Sequence, residues 1–96
     1  MFARTSIWSG SPEALQKWAD NAVSTVMGFV TALPGNAGAV FLIDRDNGTA
    51  LTLTLWESDD AARATDRFAE QSRATTVAAT GTELVSRGSY EVVGRA

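Results

Sequence analysis

The residues best suited to chemistry in this sequence form a row along one predicted strand. Thr52, Thr54 and Trp56 alternate within residues 49–56, so their side chains share one face of that strand. Phe41, on the preceding strand, joins this face across a hairpin. An aromatic wall with hydroxyl groups suits a flat small molecule, which stacks on the rings and hydrogen-bonds to the hydroxyls. The alternative is that these residues are ordinary core, because aromatic side chains close to helices usually pack.

Further side chains are candidates for the wall of the same pocket. Trp18 and Phe68 fall on the inner sides of two predicted helices. Arg4 in the first predicted strand, like Arg87 in the last, either presents a cation to an anionic ligand or forms an ion pair at the sheet edge. Tyr90 either lines the pocket with its phenol or packs at the end of the sheet with its hydroxyl in water.

The space for such a pocket is predicted beside the second helix. The inward positions of that helix are mostly Ala, Thr and Ser, and Phe68 is the main bulky residue among them. Small residues opposite Trp56 leave room, so we predict a cavity between this helix and the central hairpin, partly shaped by Trp18 and Phe29. A helix packed tightly against the sheet would leave no such cavity.

The composition excludes several kinds of site. The sequence has no His and no Cys, which excludes imidazole acid–base catalysis, thiol nucleophiles, disulfides and zinc–thiolate sites. Asp44, Asp46 and Glu57 are spread over strand ends, so no metal site is expected. The net charge is −3 and no block of basic residues occurs, which argues against nucleic-acid binding.

Length and hydropathy point to one domain outside the membrane. A chain of 96 residues is enough for one modest core, so we predict a single domain over residues 1–96. No apolar run approaches the roughly 20 residues that a membrane helix needs, and no basic segment leads into an apolar one. The expected location is therefore the cytoplasm, without a membrane partner.

Strand and helix patterns follow one another in an order typical of one fold. The predicted elements are strands over 2–9, 37–46, 49–56 and 82–93, and helices over 12–33 and from the Ser58 cap to about 79. Ser11-Pro12-Glu13 and Ser58-Asp59-Asp60 are typical helix starts. The order β-α-β-β-α-β predicts a ferredoxin-like α+β fold, in which two helices cover one face of a four-stranded antiparallel sheet.

The central hairpin is predicted to turn at Asn47-Gly48. This pair favours a two-residue type I′ turn, because both residues tolerate a positive φ. Such a turn places Asp46 opposite Thr49 and Val40 opposite Leu55.

The inner faces of the helices follow from residues at three- and four-residue steps. In the first helix they are Leu15, Trp18, Ala22, Val26, Phe29, Val30 and Leu33, and Asn21 lies largely off this face. In the second they are Ala61, Ala64, Thr65, Phe68, Ala69 and Ser72. On the outer side, Glu70 has ion-pair spacing to Arg67 and Arg73. Gly88 is a candidate β-bulge in the last strand.

Both faces of the predicted hairpin carry apolar groups, although helices on one side can cover only one of them. One face is mostly aliphatic, with residues such as Leu42 and Leu53. We therefore expect a homodimer in which two copies pack sheet against sheet about a two-fold axis. The alternative is a monomer with an unusually apolar exposed sheet.

The stretch from Thr52 to Ala61, an aliphatic strand that ends in Trp-Glu-Ser and runs into an acidic helix start, resembles the dimeric α/β-barrel superfamily. Within it, the chain is most similar to antibiotic biosynthesis monooxygenase-like domains, and Gly35-Asn36-Ala37-Gly38 before the second strand fits that pattern. The resemblance covers nearly the whole chain in element order. It implies a barrel made from the sheets of two subunits, with a pocket between helices and sheet in each.

The same resemblance bears on function. Such proteins include cofactor-independent monooxygenases of aromatic polyketides and haem-degrading enzymes. Trp56 matches the strand-end tryptophan that borders their pocket, whereas Thr52 stands where some oxygenases carry an amide. Members that bind iron through a histidine have no counterpart here.

The resemblance therefore implies a pocket protein without a cofactor, acting as a monooxygenase on an aromatic or polyketide-like substrate. A non-catalytic ligand-binding or accessory protein is the alternative, and a structural subunit without a cavity is a third. The sequence identifies no catalytic residue.

Overall fold

All four predicted strands are present, and both predicted helices are present but interrupted. The computed structural model describes residues 1–96. In chain order the elements are β1 (Phe2–Ser9), α1 (Pro12–Asn21), a π-helical turn (Ala22–Val26), α2 (Met27–Thr31), β2 (Asn36–Asp44), β3 (Thr49–Trp56), α3 (Asp59–Arg63), α4 (Asp66–Thr80) and β4 (Glu83–Glu91). The Ser11 and Ser58 side chains cap α1 and α3, each accepting a backbone N–H three residues ahead at 3.1 Å.

The strands form one antiparallel sheet in the order β2-β3-β1-β4, with the helices on one face. This confirms the predicted ferredoxin-like topology. Only 16 of the 96 residues are buried. Seven of the eleven apolar ones form two small clusters on the helix side, one around Trp8, Leu15 and Trp18 and the other around Trp56. The core of one chain is therefore modest, as its length predicts.

The β2–β3 hairpin turns differently from the prediction. Asp44, rather than Asp46, lies opposite Thr49, so residues 45–48 form a four-residue loop. The Asp44 carboxylate accepts hydrogen bonds from the backbone and side-chain amides of Asn47, at 3.2 and 2.7 Å. These bonds hold the pKa of Asp44 below its ordinary value. Gly48 is the only residue of this loop with a positive φ, whereas a type I′ turn needs two such residues. The predicted type I′ turn is therefore wrong.

The corrected register differs from the predicted one by two residues. Val40 pairs with Leu53 and Phe41 with Thr52. Because side chains alternate with a period of two, a shift of two leaves every residue on its predicted face.

The irregularity in β4 lies at Val85 and not at the predicted Gly88. The partners of Ile7 and Trp8 are Ser86 and Leu84, so Val85 is the extra residue. At Gly88, an added Cβ would come within 2.5 Å of the Tyr90 ring. The glycine therefore makes room for the ring.

The interruptions of the helices alter which residues face inward. A π-helical turn holds more residues than an α-helical one, so it rotates the following face. Val26, Val30 and Leu33 continue the inner side, whereas Phe29 is 62% exposed. In the second helix the break before Asp66 has a similar effect, since Ala62 is buried and the predicted Ala64 is exposed.

The two faces of the sheet have different surroundings. Arg4, Ser6 and Trp8 of β1 face the helices, together with the β3 and β2 residues paired to them. The other face carries the aliphatic row, with Ile7, Leu51 and Leu42 paired in line and Thr5, Leu53 and Val40 paired in the next line. Val40 and Leu42 are 47% and 49% exposed. One chain therefore leaves this aliphatic face uncovered.

The turn at Gly35 gives a test of how closely α3 packs against the start of β2. Gly35 has φ of +80°, and a Cβ there would lie 2.5 Å from that of Ala61. Gly35→Ala should lower the free energy of unfolding by about 2–5 kcal/mol, because backbone strain and overpacking add. Gly81→Ala is the matched control, since Gly81 has φ of +76° but open space around it, and only the strain of about 1–2 kcal/mol applies. Urea unfolding at equal protein concentration measures both, and equal losses would contradict the close packing.

Candidate ligand-binding cavity

A cavity of about 490 Å³ lies between the helix-facing side of the sheet and the helices. Its walls come from all four strands, from α1, the π-helical turn, α2 and α4, and from the residue just before α4. The volume falls within the usual range for small-molecule sites. A cavity is thus present where the small residues of the second helix predicted one.

Trp56 forms one aromatic wall of this cavity. The residue is 2% exposed and packs in the cluster with Val30 and Ala62. Its indole Nε1–H donates to Thr54 Oγ1 at 2.9 Å. Because both ends of this bond belong to β3, the ring orientation is fixed by the strand itself.

A second aromatic wall is formed by Trp18, Phe41 and Trp8. Trp18 meets Phe41 edge to face, with ring centroids 6.3 Å apart and planes inclined at 63°. Trp8 is 3% exposed, and its indole N–H is buried without a hydrogen-bond partner. Unpaired buried donors are uncommon and cost stability.

Small polar groups line the cavity beside these aromatic rings. Thr52 and Ser6 are paired neighbours on β3 and β1, and both line the cavity. The Thr54 hydroxyl accepts from Trp56, whereas no hydrogen bond within the protein engages the hydroxyls of Thr52 and Ser6. Asn21, the last residue of α1, lines the cavity as well. These groups can donate to or accept from a bound molecule.

Charged residues gather in the wall formed by α4, β1 and β4. Arg4 forms an ion pair with Asp66 through Nη1 and Oδ1. Arg73, Arg87 and Glu70 also line the cavity. Partial burial and the positive charge of Arg87 lower the pKa of Arg73, and the Glu70 carboxylate partly opposes this. Glu70 forms no ion pair with Arg73 or Arg67, although their spacing suggested it. An ion pair of helical spacing does form away from the cavity, between Asp59 and Arg63 of α3.

The structure brings together most of the predicted pocket residues. Those that line the cavity are Trp56, Thr52, Thr54, Phe41, Trp18, Phe68 and Arg4. Tyr90 does not: it pairs with Ala3, so it projects from the opposite face of the sheet. Phe29 also lies outside and instead contacts Phe68, with ring centroids 6.3 Å apart.

The sequence analysis missed several cavity residues, and it wrongly placed Asn21, Glu70 and Arg73 off the inner sides of their helices. Asn21 lies three residues after Trp18, and Arg73 lies four after Ala69. These spacings place each on the side of its helix that faces the cavity. This helical spacing could have identified both residues. They were missed because polar residues at the margin of an apolar helix face usually point into solvent.

No group of three or more Asp or Glu side chains lies close enough together to hold a metal ion. None of the helices has the length and apolar character required to span a bilayer.

Comparison with known proteins gives matches among solved structures only. No protein-family model and no curated protein matches the chain. A monooxygenase from the ActVA-Orf6 gene of Streptomyces coelicolor, solved with the ligand nanaomycin D, has a TM-score of 0.76 and 17% identity, covering 99% of this chain and 89% of its own. SnoaB, a cofactor-independent oxygenase from Streptomyces nogalater, has a TM-score of 0.66 and 17% identity, covering 98% and 94%.

A third similar structure has a different activity. The heme-degrader MhuD from Mycobacterium tuberculosis, solved with two hemes bound, has a TM-score of 0.67 and 21% identity, covering 100% and 99%. These matches over whole chains confirm the resemblance at the level of the fold, which is that of antibiotic biosynthesis monooxygenase-like proteins. Proteins with this fold differ in activity, so function has to be argued from the site.

Proposed function

We propose that this protein binds a flat aromatic molecule in its cavity and oxidises it with molecular oxygen, without a cofactor of its own. The observation that carries the proposal is the cavity of about 490 Å³, which is lined by Trp56 and by the Trp18–Phe41 pair, with the unengaged hydroxyls of Thr52 and Ser6 beside them. The named activities of two proteins of this fold, a monooxygenase and a cofactor-independent oxygenase, support it.

The chemistry proposed needs only what the substrate and oxygen supply. An electron-rich ring with an activated CH₂ group beside a phenol loses a proton and transfers electrons to O₂. One oxygen atom enters as C=O and the other leaves as water, so CH₂ and O₂ become C=O and H₂O. The protein orients the ring between aromatic walls, and Asn21, Thr52 and Ser6 supply hydrogen bonds to oxygen atoms that gain charge.

The assembly proposed is a homodimer through the aliphatic face of the sheet. Ile7, Val40 and Leu42 on this face are exposed in one chain, and Leu51 and Leu53 are half-buried beside them. A contiguous apolar sheet face of this kind is typical of a surface covered by a partner. When a second copy packs on it about a two-fold axis, the aliphatic face of each copy covers that of the other.

A second candidate function is ligand binding without catalysis. It is favoured by the chemistry next to Trp56, where the strand offers the hydroxyls of Thr52 and Thr54, and Thr54 is already bonded to the indole. A neutral hydroxyl stabilises a developing oxyanion less than a charged donor does. The oxygenase and the non-catalytic binding protein would use the same cavity, and only the oxygenase would convert the bound ligand to a product.

The test uses 1,8-dihydroxyanthrone, which carries an activated CH₂ group beside phenols. An oxygen electrode and mass spectrometry should show that the protein consumes one O₂ per quinone formed, well above the rate in buffer and with heat-denatured protein. Calorimetry on the same sample measures binding. Binding without faster oxidation would overturn the oxygenase in favour of the second candidate, and no binding of any aromatic probe would overturn both.

A further inference from the structure

Two arginines in the cavity wall carry charges that no carboxylate neutralises directly. Arg4 is paired with Asp66, but Arg73 on α4 and Arg87 on β4 form no ion pair. Arg73 is half-buried. A guanidinium held partly away from water loses solvation, and without a carboxylate in direct contact it makes no ion pair that would offset this loss.

The surroundings of Arg73 are positive on balance. Arg4 on β1 and Arg87 on β4 act on it from the sheet, and Glu70 and Asp66 act from its own helix. Burial and Arg87 lower the pKa of Arg73 more than Glu70 raises it. Three arginines and two carboxylates line the cavity, so this wall is positive although the chain carries −3.

The rest of the cavity has a different character. The opposite walls are aromatic and aliphatic, with Trp56, Trp18 and Val30 among them. A molecule that fits both parts has a flat apolar body and an anionic group at one end. Guanidinium groups bind planar carboxylates through paired N–H···O bonds, which makes a carboxylate the best-matched anion.

We infer that the natural ligand is an aromatic carboxylate whose carboxyl group is bound by Arg73 and Arg87 while its rings lie between the aromatic walls. This inference rests on the proposed function, because it assigns a substrate class to the same cavity. Arg73 and Arg87 are then specificity-determining residues that select and orient the ligand. Asp66 and Glu70 also line the cavity, and their carboxylates would repel a ligand with more than one negative charge. The ligand is therefore expected to carry a single anionic group.

The experiment compares two probes that share one ring system, 2-naphthoate and 2-naphthamide, by calorimetry at low ionic strength. Wild-type protein should bind the carboxylate about tenfold more tightly than the amide, as charge-assisted hydrogen bonds predict. This preference should shrink as salt is added. In the Arg73→Gln/Arg87→Gln double variant the two probes should bind within about twofold of each other, and most of the change should be a loss of affinity for the carboxylate.

Arg67→Gln is the matched control, because Arg67 lies on α4 but is exposed and outside the cavity. It should keep the full preference for 2-naphthoate. Equal binding of both probes to wild-type protein, or a preference that survives the double variant, would overturn the inference while leaving the aromatic pocket in place. Failure of both probes to bind would overturn the pocket and the inference together.

Discussion

Replacing Trp56 with leucine should abolish oxidation of 1,8-dihydroxyanthrone while the protein keeps its fold and its oligomeric state. The indole forms one wall of the cavity and is fixed by its bond to Thr54, so leucine removes both the stacking surface and the anchor. Affinity for 2-naphthamide should fall by about tenfold or more, since stacking on one aromatic group is worth roughly 1 kcal/mol beyond the area it buries. Misplacing the ring also removes the orientation that turnover requires.

The same substitution should cost about 2–4 kcal/mol of stability, because Trp56 is 2% exposed and packs on Val30 and Ala62. Circular dichroism therefore has to accompany the kinetics. Trp56→Phe is the second variant: it keeps a ring in the wall but loses the N–H donor. It should bind 2-naphthamide better than Trp56→Leu does and oxidise the anthrone more slowly than wild type.

Phe29→Leu is the matched control, since it removes an aromatic side chain that is mostly exposed and lies outside the cavity. It should leave binding and oxidation within about twofold of wild type. Undiminished oxidation in a folded Trp56→Leu protein would contradict the assignment of Trp56 to the site.

A Leu42→Asp variant should be a monomer at concentrations where we expect the wild-type protein to be a dimer. Leu42 lies on the aliphatic face and is 49% exposed in one chain, so the change should affect the folding of that chain only slightly. In a two-fold interface the new charge enters twice and is buried without a partner. The dissociation constant should rise by roughly 100-fold or more, as measured by sedimentation equilibrium.

Val23→Asp is the control for this variant. Val23 is 71% exposed and lies in the π-helical turn on the helix side, where no second copy is proposed. It should sediment as wild type does. A wild-type protein that is folded and monomeric at micromolar concentration, or a Leu42→Asp protein that dimerises normally, would rule out the proposed interface.

Much of the fold was predictable because its signals are local. The Ser11 and Ser58 caps act over three residues, and the left-handed Gly81 ends α4 as a helix-stopping glycine should. The alternation of Thr52, Thr54 and Trp56 placed them on one face even though the turn was two residues longer than predicted. Side chains alternate between the two faces of a strand, so an error of two residues in the register leaves each side chain on its predicted face.

The sequence by itself therefore determined the order of elements, the two faces of the sheet and the row of residues beside Trp56. Only the tertiary structure decided where Asp44 closes the hairpin, how the π-helical turn places Phe29 outside, and which face receives Tyr90. It also brought Arg73 of α4 near Arg87 of β4. The hairpin depends on the local bonds between Asp44 and Asn47, which compete with the type I′ turn that Asn47-Gly48 favours. The other outcomes depend on how helices and strands pack together, which sums many weak contacts between residues distant in the chain, and local propensity does not encode that sum.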